Sequence, residues 1–264
     1  MKLYLAWYST GKKHFTKLNK QTLESVGFLE SFLTYKKKGL ENEYNRYKKK
    51  FFLDSWAFTA YTQWEKISIN KYINFIKENK QYLQVYANLD VIWDPGQTKK
   101  NQKIMEENWL SPLPTYHYWS DVKFLKYYLK NYKYIWIGWL VPHSTTPKKI
   151  KKCLDYVFYY IKKNKLKTKV HWWGMTNPTL IKRYPLYSVD STGWLAWWKF
   201  KRLFFYKDWK LISKWADKMR KENWVDFWKK HYSDLNMHNI QEIYKYVKYI
   251  TKLQKAKGII YWNK

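Results

Sequence analysis

The sequence of 264 residues contains a single cysteine, Cys153. One thiol can form neither an intrachain disulfide nor a cysteine-rich zinc site, so both are excluded. The chain also lacks any run of eighteen uncharged apolar residues, and its apolar N-terminal segment KLYLAWY is too short for a signal peptide. We therefore expect a protein of the reducing cytoplasm that has no membrane partner.

Acidic residues are scarce as well. Against 51 Lys+Arg there are only 20 Asp+Glu, which gives a formal net charge of +31. An excess of this size favours a polyanionic partner, and nucleic acid is the polyanion that such proteins ordinarily bind. The alternative is coding bias, because only four of the basic residues are arginines and an AT-rich genome raises the lysine content of every protein.

Short apolar segments alternate with amphipathic ones, and an apolar content of 46% is that of a globular protein. The apolar segments predict strands at 2–8, 51–55, 84–91, 114–118, 134–138, 169–173, 187–190 and 202–206. The amphipathic segments predict helices at 22–37, 69–79, 98–108, 121–131, 147–164 and 176–183. Strands and helices in this alternation fit a (β/α)8 TIM barrel better than an open doubly wound sheet. We predict one domain, with the barrel at about 1–206 and extra C-terminal helices at about 207–264.

Six residues stand at the predicted C-terminal ends of six strands. They are Asp54, Asp90, His117, Gly138, His171 and Asp190. Active sites of TIM barrels lie at this end of the strands. One polar residue there is ordinarily a helix cap, but six on different strands indicate a site. Three carboxylates suit work at a carbon–oxygen or carbon–nitrogen bond, since one can attack a sugar's anomeric carbon, another can move a proton and a third can hold a base.

Six segments carry a resemblance to a known family. They read FFLDSWAFTAYT (51–62), VYANLDVIWDP (85–95), PLPTYHYWSD (112–121), YIWIGWLVP (134–142), KVHWWGMT (169–176) and RYPLYSVDSTGW (183–194). In content and order they resemble the tRNA-guanine transglycosylase superfamily, and most closely its phage-encoded branch related to enzymes that insert 7-deazaguanines into DNA. The resemblance covers about residues 2–206. It implies a TIM-barrel transferase that exchanges guanine for a 7-deazaguanine-type base without a metal or cofactor, in the host cytoplasm if a phage encodes the chain.

The resemblance also implies roles for individual residues. Asp190 is the expected nucleophile, which forms a covalent glycosyl-enzyme intermediate, and Asp54 is expected to handle the proton. Phe58 is expected to stack on the base, and Asp90 to read its polar edge. The remaining expected substrate-binding residues are Ser55, His117, Gly138, Trp139, His171 and Gly174.

The chain departs from the family in its zinc site. The tRNA enzymes carry a Cys/His zinc site that helps to dock tRNA, and one cysteine cannot build it. The expected partners are therefore a free deazaguanine base and a nucleic acid that is either DNA or tRNA, and both a monomer and a homodimer stay open. Two other functions also stay open: an inactive, basic nucleic-acid-binding barrel, and a carboxylate-based glycosidase or nucleoside hydrolase.

Tryptophan is the second departure, with 18 residues against only eight glycines. Six tryptophans stand where the family pattern has glycine, namely Trp7, Trp56, Trp93, Trp119, Trp139 and Trp172, with Trp136 a further candidate. Two helical patterns also end in Asn-Trp, at 108–109 and 223–224, where glycine is usual. We hypothesise that many of these residues are glycines encoded by UGA, whereas Trp194 matches a family tryptophan. The alternative is a correctly read, aromatic-rich chain in which Trp56 and Trp139 block the base pocket.

Overall fold

The computed structural model describes residues 1–264 without 37–39, 58–60, 62–65, 139–146, 173, 175–176, 222–229 and 259–264. Its strands are β1 (Lys2–Ala6), β2 (Gly27–Ser31), β3 (Phe51–Asp54), β4 (Leu83–Tyr86), β5 (Thr115–His117), β6 (Tyr134–Gly138), β7 (Lys169–Trp172), β8 (Ser188–Ser191), β9 (Arg202–Lys207) and β10 (Lys210–Trp215). Its α-helices are α1 (Tyr8–Gly11), α2 (Lys20–Ser25), α3 (Phe32–Lys36), α4 (Glu41–Tyr47), α5 (Ile69–Asn79), α6 (Pro95–Glu107), α7 (Val122–Asn131), α8 (Pro147–Lys163), α9 (Pro178–Arg183), α10 (Ala196–Phe200), α11 (Ala216–Lys221) and α12 (Tyr232–Ala256).

The strands β1 to β8 are parallel and alternate with helices, which confirms the predicted TIM-barrel fold class. Strands covered on both faces are expected to be apolar along their whole length rather than at every second residue. In β3, for example, Phe51, Phe52 and Leu53 are all fully buried. Among the described residues, no helix is both long and apolar enough to cross a bilayer.

The chain divides into two compact units, of which one is continuous and comprises residues 27–173. In this unit β2 pairs with β3 and β3 with β4, while β5 pairs with β6 and β6 with β7. A parallel bridge between Ala87 and Leu113 joins these two groups of strands. Three rings pack together in the core of this unit, with ring centres no more than 5.3 Å apart: Phe52 of β3, Trp136 of β6 and His171 of β7.

The other unit combines residues 1–26 with 174–264. Here β1 pairs with β8, and Tyr4 lies opposite Asp190. The hairpin of β9 and β10 packs on α12, whose side chains cover the outer edge of β9: Asn239 accepts the backbone N–H of Phe204 at 2.8 Å, and Glu242 accepts that of Tyr206 at 2.7 Å. These bonds satisfy backbone donors that a bare sheet edge would leave unpaired.

Side-chain caps explain where several helices begin. The Asn177 side chain accepts the backbone N–H groups of Thr179 and Leu180, and Pro178 follows at the first helical position. Proline is suited to this position because its missing N–H is one of the donors that a helix start leaves unpaired. The helix predicted at 176–183 is thus confirmed from its cap at Asn177 to Arg183. The Asp94 side chain caps α6 in the same way, through the N–H of Gln97.

The prediction of one helix over residues 22–37 is wrong. The structure has α2 up to Ser25, an extended residue at Val26, strand β2 and then the short helix α3. Residues 28–31 of β2 are all buried, so the strand lacks the alternation that identifies a half-exposed strand. The apolar residues at 28, 29, 32 and 33 then have helical spacing, which explains the error.

The C-terminal region also differs from the prediction in part. Residues 202–207 form a strand, as predicted, but it pairs antiparallel with β10 and is no barrel strand. We predicted a helix where β10 lies, and the shorter helix α11 follows it. Helix α12 is one of the extra helices predicted for the extension. The hairpin escaped prediction because its two-residue turn, Asp208-Trp209, has no glycine.

One helix end contains a tryptophan in left-handed backbone. After α6, Trp109 has a φ of 63°, its N–H donates to the Glu106 carbonyl at 2.9 Å, and the N–H of Leu110 donates to that of Met105 at 3.1 Å. This is the Schellman pattern, in which glycine usually occupies the left-handed position. The indole of Trp109 is 89% exposed, so packing does not compensate for the strain.

We expect Trp109→Gly to raise the free energy of unfolding by about 1 kcal/mol, because glycine adopts the left-handed conformation without the Cβ clash. Urea unfolding of the two proteins measures the difference. Trp109→Ala is the matched control, since it removes the indole but keeps the Cβ, and it should recover little of the gain. An equal gain with alanine would show that the indole, rather than the backbone, causes the strain.

Candidate active site

The structure places the predicted site residues at the ends of strands, in two groups. Asp54, His117 and Gly138 are the last residues of β3, β5 and β6, His171 lies in β7, and Ser55 and Asp90 follow β3 and β4. These residues belong to the unit 27–173. Asp190 in β8 and Gly174 after β7 belong to the other unit. Phe58 and Trp139 lie outside the described residues.

Asp90 is the centre of a buried polar cluster. One of its carboxylate oxygens accepts the Ser55 hydroxyl at 2.8 Å, and the other lies 2.7 Å from Nε2 of His117. The His117 side chain is 2% exposed and the Asp90 side chain 13%. The second ring nitrogen of His117, Nδ1, is buried and has no hydrogen-bond partner among the described residues. All three residues are predicted at one site from the sequence, and the structure brings them into contact.

The loop that carries Asp90 is fixed by helix α6. The Asn101 amide donates to the Leu89 carbonyl at 2.8 Å, and the Thr98 hydroxyl accepts the N–H of Val91 at 2.8 Å. Both side chains are buried. A carboxylate between two such anchored residues has little freedom to move, as a binding or catalytic group requires.

Gly138 leaves room for the side chain of Thr115. A Cβ at this position would lie 3.1 Å from the Thr115 methyl group and 3.5 Å from the imidazole ring of His117. His117 and Gly138 are partners in the register of β5 and β6, so a side chain at position 138 would lie next to the imidazole ring of His117. The close approach explains why a glycine ends this strand.

Two indoles cover the cluster from the adjoining loops. The Trp119 ring stacks on that of His117, with ring centres 5.6 Å apart and planes 11° apart, and Trp93 packs on Trp119 at 4.8 Å. The indole N–H of Trp119 is buried without a hydrogen-bond partner among the described residues. Trp119 also packs against Ala57 and Ile92. The Trp119 ring therefore occupies the position in which a flat ligand would stack on His117.

Asp190 is held by backbone in its own unit. Its side chain is almost fully buried, and one carboxylate oxygen accepts the N–H of Gly174 at 3.1 Å. Gly174 has a φ of 72°, a conformation in which glycine is favoured. The next turn is fixed as well, since the indole N–H of Trp194 donates to the carbonyl of Ala6 at 2.9 Å.

Tyr72 is a neighbour of the site that sequence analysis missed. Its hydroxyl donates to the carbonyl of Ala87 at 2.9 Å, and its side chain is fully buried. Burial, followed by the charges of Asp54 and Asp90, raises the pKa of Tyr72 well above its usual range. The residue therefore stays a neutral hydrogen-bond donor beside two carboxylates. Position 72 follows the apolar spacing of helix α5, so the sequence indicated only a core residue.

The comparisons with known proteins show the fold of this chain. No protein-family model and no curated protein matches the sequence. The structure is similar to the crystal structure of the tryptophan synthase alpha chain from Legionella pneumophila subsp. pneumophila, with a TM-score of 0.52 over 94% of this chain and 90% of that chain. The two sequences are 8% identical. At this identity the likeness shows the fold alone, which this chain shares with an enzyme.

We expect Gly138→Ala to lower the free energy of unfolding by about 1–3 kcal/mol, because its Cβ would push against the Thr115 methyl group. Thr115→Ser removes that methyl group. In the Thr115→Ser background the cost of Gly138→Ala should therefore fall to less than half. Urea unfolding of the four proteins completes the cycle, and an equal cost in both backgrounds would contradict the contact.

Proposed function

We propose that the chain is a base-exchange transglycosylase, which replaces guanine in nucleic acid by a 7-deazaguanine-type base. The observation that carries this proposal is the buried carboxylate of Asp190 at the end of a barrel strand, held by the N–H of Gly174 at 3.1 Å. A fixed carboxylate is suited to attack an anomeric carbon because its direction is set before the substrate arrives. The family resemblance of residues 183–194 assigns the same role to Asp190.

The proposed reaction has two half-reactions. In the first, an Asp190 oxygen bonds to C1′ of the nucleotide and the C1′–N9 bond breaks, so that guanine leaves with the bonding electrons and takes a proton from Asp54, the proton donor that the family resemblance implies. In the second, Asp54 accepts a proton from the incoming base, the base nitrogen attacks C1′, and Asp190 is released. Nothing is oxidised or reduced, so the scheme contains no redox cofactor.

The Asp90 cluster supports recognition of the base. Guanine presents N–H donors on its polar edge, and a carboxylate is an acceptor for them. Ser55 and His117 hold the Asp90 carboxylate at 2.8 and 2.7 Å, so its orientation is fixed. Ser55, Asp90 and His117 are therefore the proposed recognition residues in the unit 27–173, together with the backbone at Gly138. His171 and Gly174 remain proposed as residues that shape the floor of the site.

A second candidate function is an inactive, basic nucleic-acid-binding barrel. Trp119 and Trp93 favour it, because the Trp119 ring stacks on His117 and Trp93 packs on Trp119. A hydrolase would use the same carboxylates with water in place of the incoming base. The three functions differ in what happens to labelled guanine.

We expect the chain with glycine at positions 56, 93, 119, 139 and 172 to incorporate labelled guanine into DNA or tRNA, and the chain with tryptophan there to do so far more slowly. Each protein is incubated with each polymer, and acid-precipitable label is counted. Base release without incorporation would indicate a hydrolase. Salt-sensitive binding without either reaction, in both proteins, would support the binding barrel and contradict base exchange.

In the glycine-containing chain, Asp190→Asn should reduce incorporation by at least about 10³-fold, because the amide is a poor nucleophile. Asp155→Asn is the matched control. Asp155 lies on the surface of α8, where it pairs with Lys151, and its loss should leave the rate unchanged. Nucleic-acid binding should survive in both variants. Incorporation by Asp190→Asn at the unmodified rate would exclude the covalent step.

We expect binding to DNA or tRNA to weaken by about 10²-fold or more between 50 and 200 mM salt, because phosphate contacts release counterions. The net charge of +31 is the basis of this expectation. Fluorescence anisotropy with a labelled oligonucleotide measures it at several salt concentrations. A dissociation constant independent of salt would contradict a polyanionic partner and favour coding bias as the origin of the charge.

A further inference from the structure

Tryptophan is concentrated in left-handed backbone. Nine residues other than glycine have a positive φ in the described part of the chain, and five of them are tryptophans: Trp7 (59°), Trp56 (69°), Trp93 (69°), Trp109 (63°) and Trp209 (59°). In the described part of the chain, five tryptophans but only three of the far more numerous lysines have a positive φ. A bulky residue in this conformation is an outlier, and glycine is the residue that adopts it freely.

We infer that positions 7, 56, 93, 109 and 209 are glycine in the protein that the source organism makes. The tryptophans then arise because UGA codons, which that organism reads as glycine, have been translated as tryptophan. The backbone alone carries this inference, so it is independent of the proposed function. It also accounts for a chain with only eight glycines.

Position 209, in the hairpin turn, is one of the two positions where the backbone most specifically indicates glycine. Asp208 and Trp209 connect β9 to β10, and both have a positive φ, of 49° and 59°. Two left-handed residues between paired strands form a type I′ turn, and Asp-Gly is among the sequences that this turn prefers. The turn therefore has the aspartate it needs and a tryptophan where the glycine belongs. Position 209 is not among the positions where the family pattern predicts glycine, so the backbone adds it to the set.

The end of α6 is the other specific position. Trp109 completes a Schellman pattern in which the residue after it, Leu110, and the carbonyl-bearing Met105 are both buried. Buried apolar residues at these two positions and both hydrogen bonds are typical of the glycine-terminated form of this pattern. Here the sequence pattern and the backbone agree, since the Asn-Trp at 108–109 was predicted to stand for a glycine.

The remaining three positions follow strands. Trp7 comes directly after β1, Trp56 comes two residues after β3, and Trp93 lies in the loop after β4. A true glycine has the same conformation after β7, where Gly174 has a φ of 72°. The loops after β1, β3, β4 and β7 therefore all contain a left-handed residue, and only in the loop after β7 is that residue a glycine among these four.

Trp194 shows what a genuine tryptophan looks like in this protein. It lies outside left-handed backbone, it is fully buried, and its indole N–H donates to the carbonyl of Ala6. The indole N–H groups of Trp119 and Trp172 are also buried, but neither has a partner among the described residues. Burial of an unpaired donor is unfavourable, so these two positions fit glycine better than tryptophan.

The codons test the inference directly. We expect TGA at positions 7, 56, 93, 109 and 209 of the gene and TGG at position 194. Mass spectrometry of the protein isolated from its source organism should then find glycine in the corresponding peptides. TGG codons at the five positions, or tryptophan in those peptides, would overturn the inference.

A second measurement does not depend on the source organism. Trp209→Gly should raise the folding equilibrium constant about five-fold, and Trp194→Gly should lower it by at least about 100-fold. Urea unfolding measures both, and no gain from Trp209→Gly would also count against the inference. TGA codons together with a glycine-containing chain that exchanges no base would uphold this inference and overturn the proposed function, so the two failures are distinguishable.

Discussion

A parallel strand must be followed by a change of chain direction, and in this protein that change repeatedly requires a left-handed residue. Left-handed residues lie in the loops after β1, β3, β4 and β7, at Trp7, Trp56, Trp93 and Gly174. A side chain in this conformation costs roughly 1–2 kcal/mol. Because the net stability of a domain is only about 5–15 kcal/mol, several such residues together affect whether the fold is stable at all.

The same loops carry the polar residues of the candidate site, so backbone and chemistry are linked there. Asp90 can bind both Ser55 and His117 because helix α6 fixes its loop. Buried polar groups are stable only when they are paired, and a displaced loop would leave all of them unsatisfied. The geometry of the cluster therefore depends on the turns around it.

The sequence was sufficient for the strands and helices whose apolar pattern is regular. Helix α5 and strand β6 match their predicted bounds, and His117, Asp90 and Ser55 were assigned to one site before their contacts were known. Strand β2 was missed because burial of both faces removes the alternation. Tyr72 was missed because a core tyrosine and a site tyrosine have the same spacing on a helix. The hairpin was missed because its turn contains Trp209, where a glycine would have indicated a turn.

One compact unit is built from two separate stretches of the chain, so some of its strands can pair only late during synthesis. Residues 27–173 form their unit from one continuous stretch, so its strands can pair as soon as they leave the ribosome. Strand β1 is made before this unit, whereas β8, which pairs with one of its edges, is made long afterwards. Until then that edge of β1 is unpaired, and an unpaired strand edge is the kind of segment that chaperones bind.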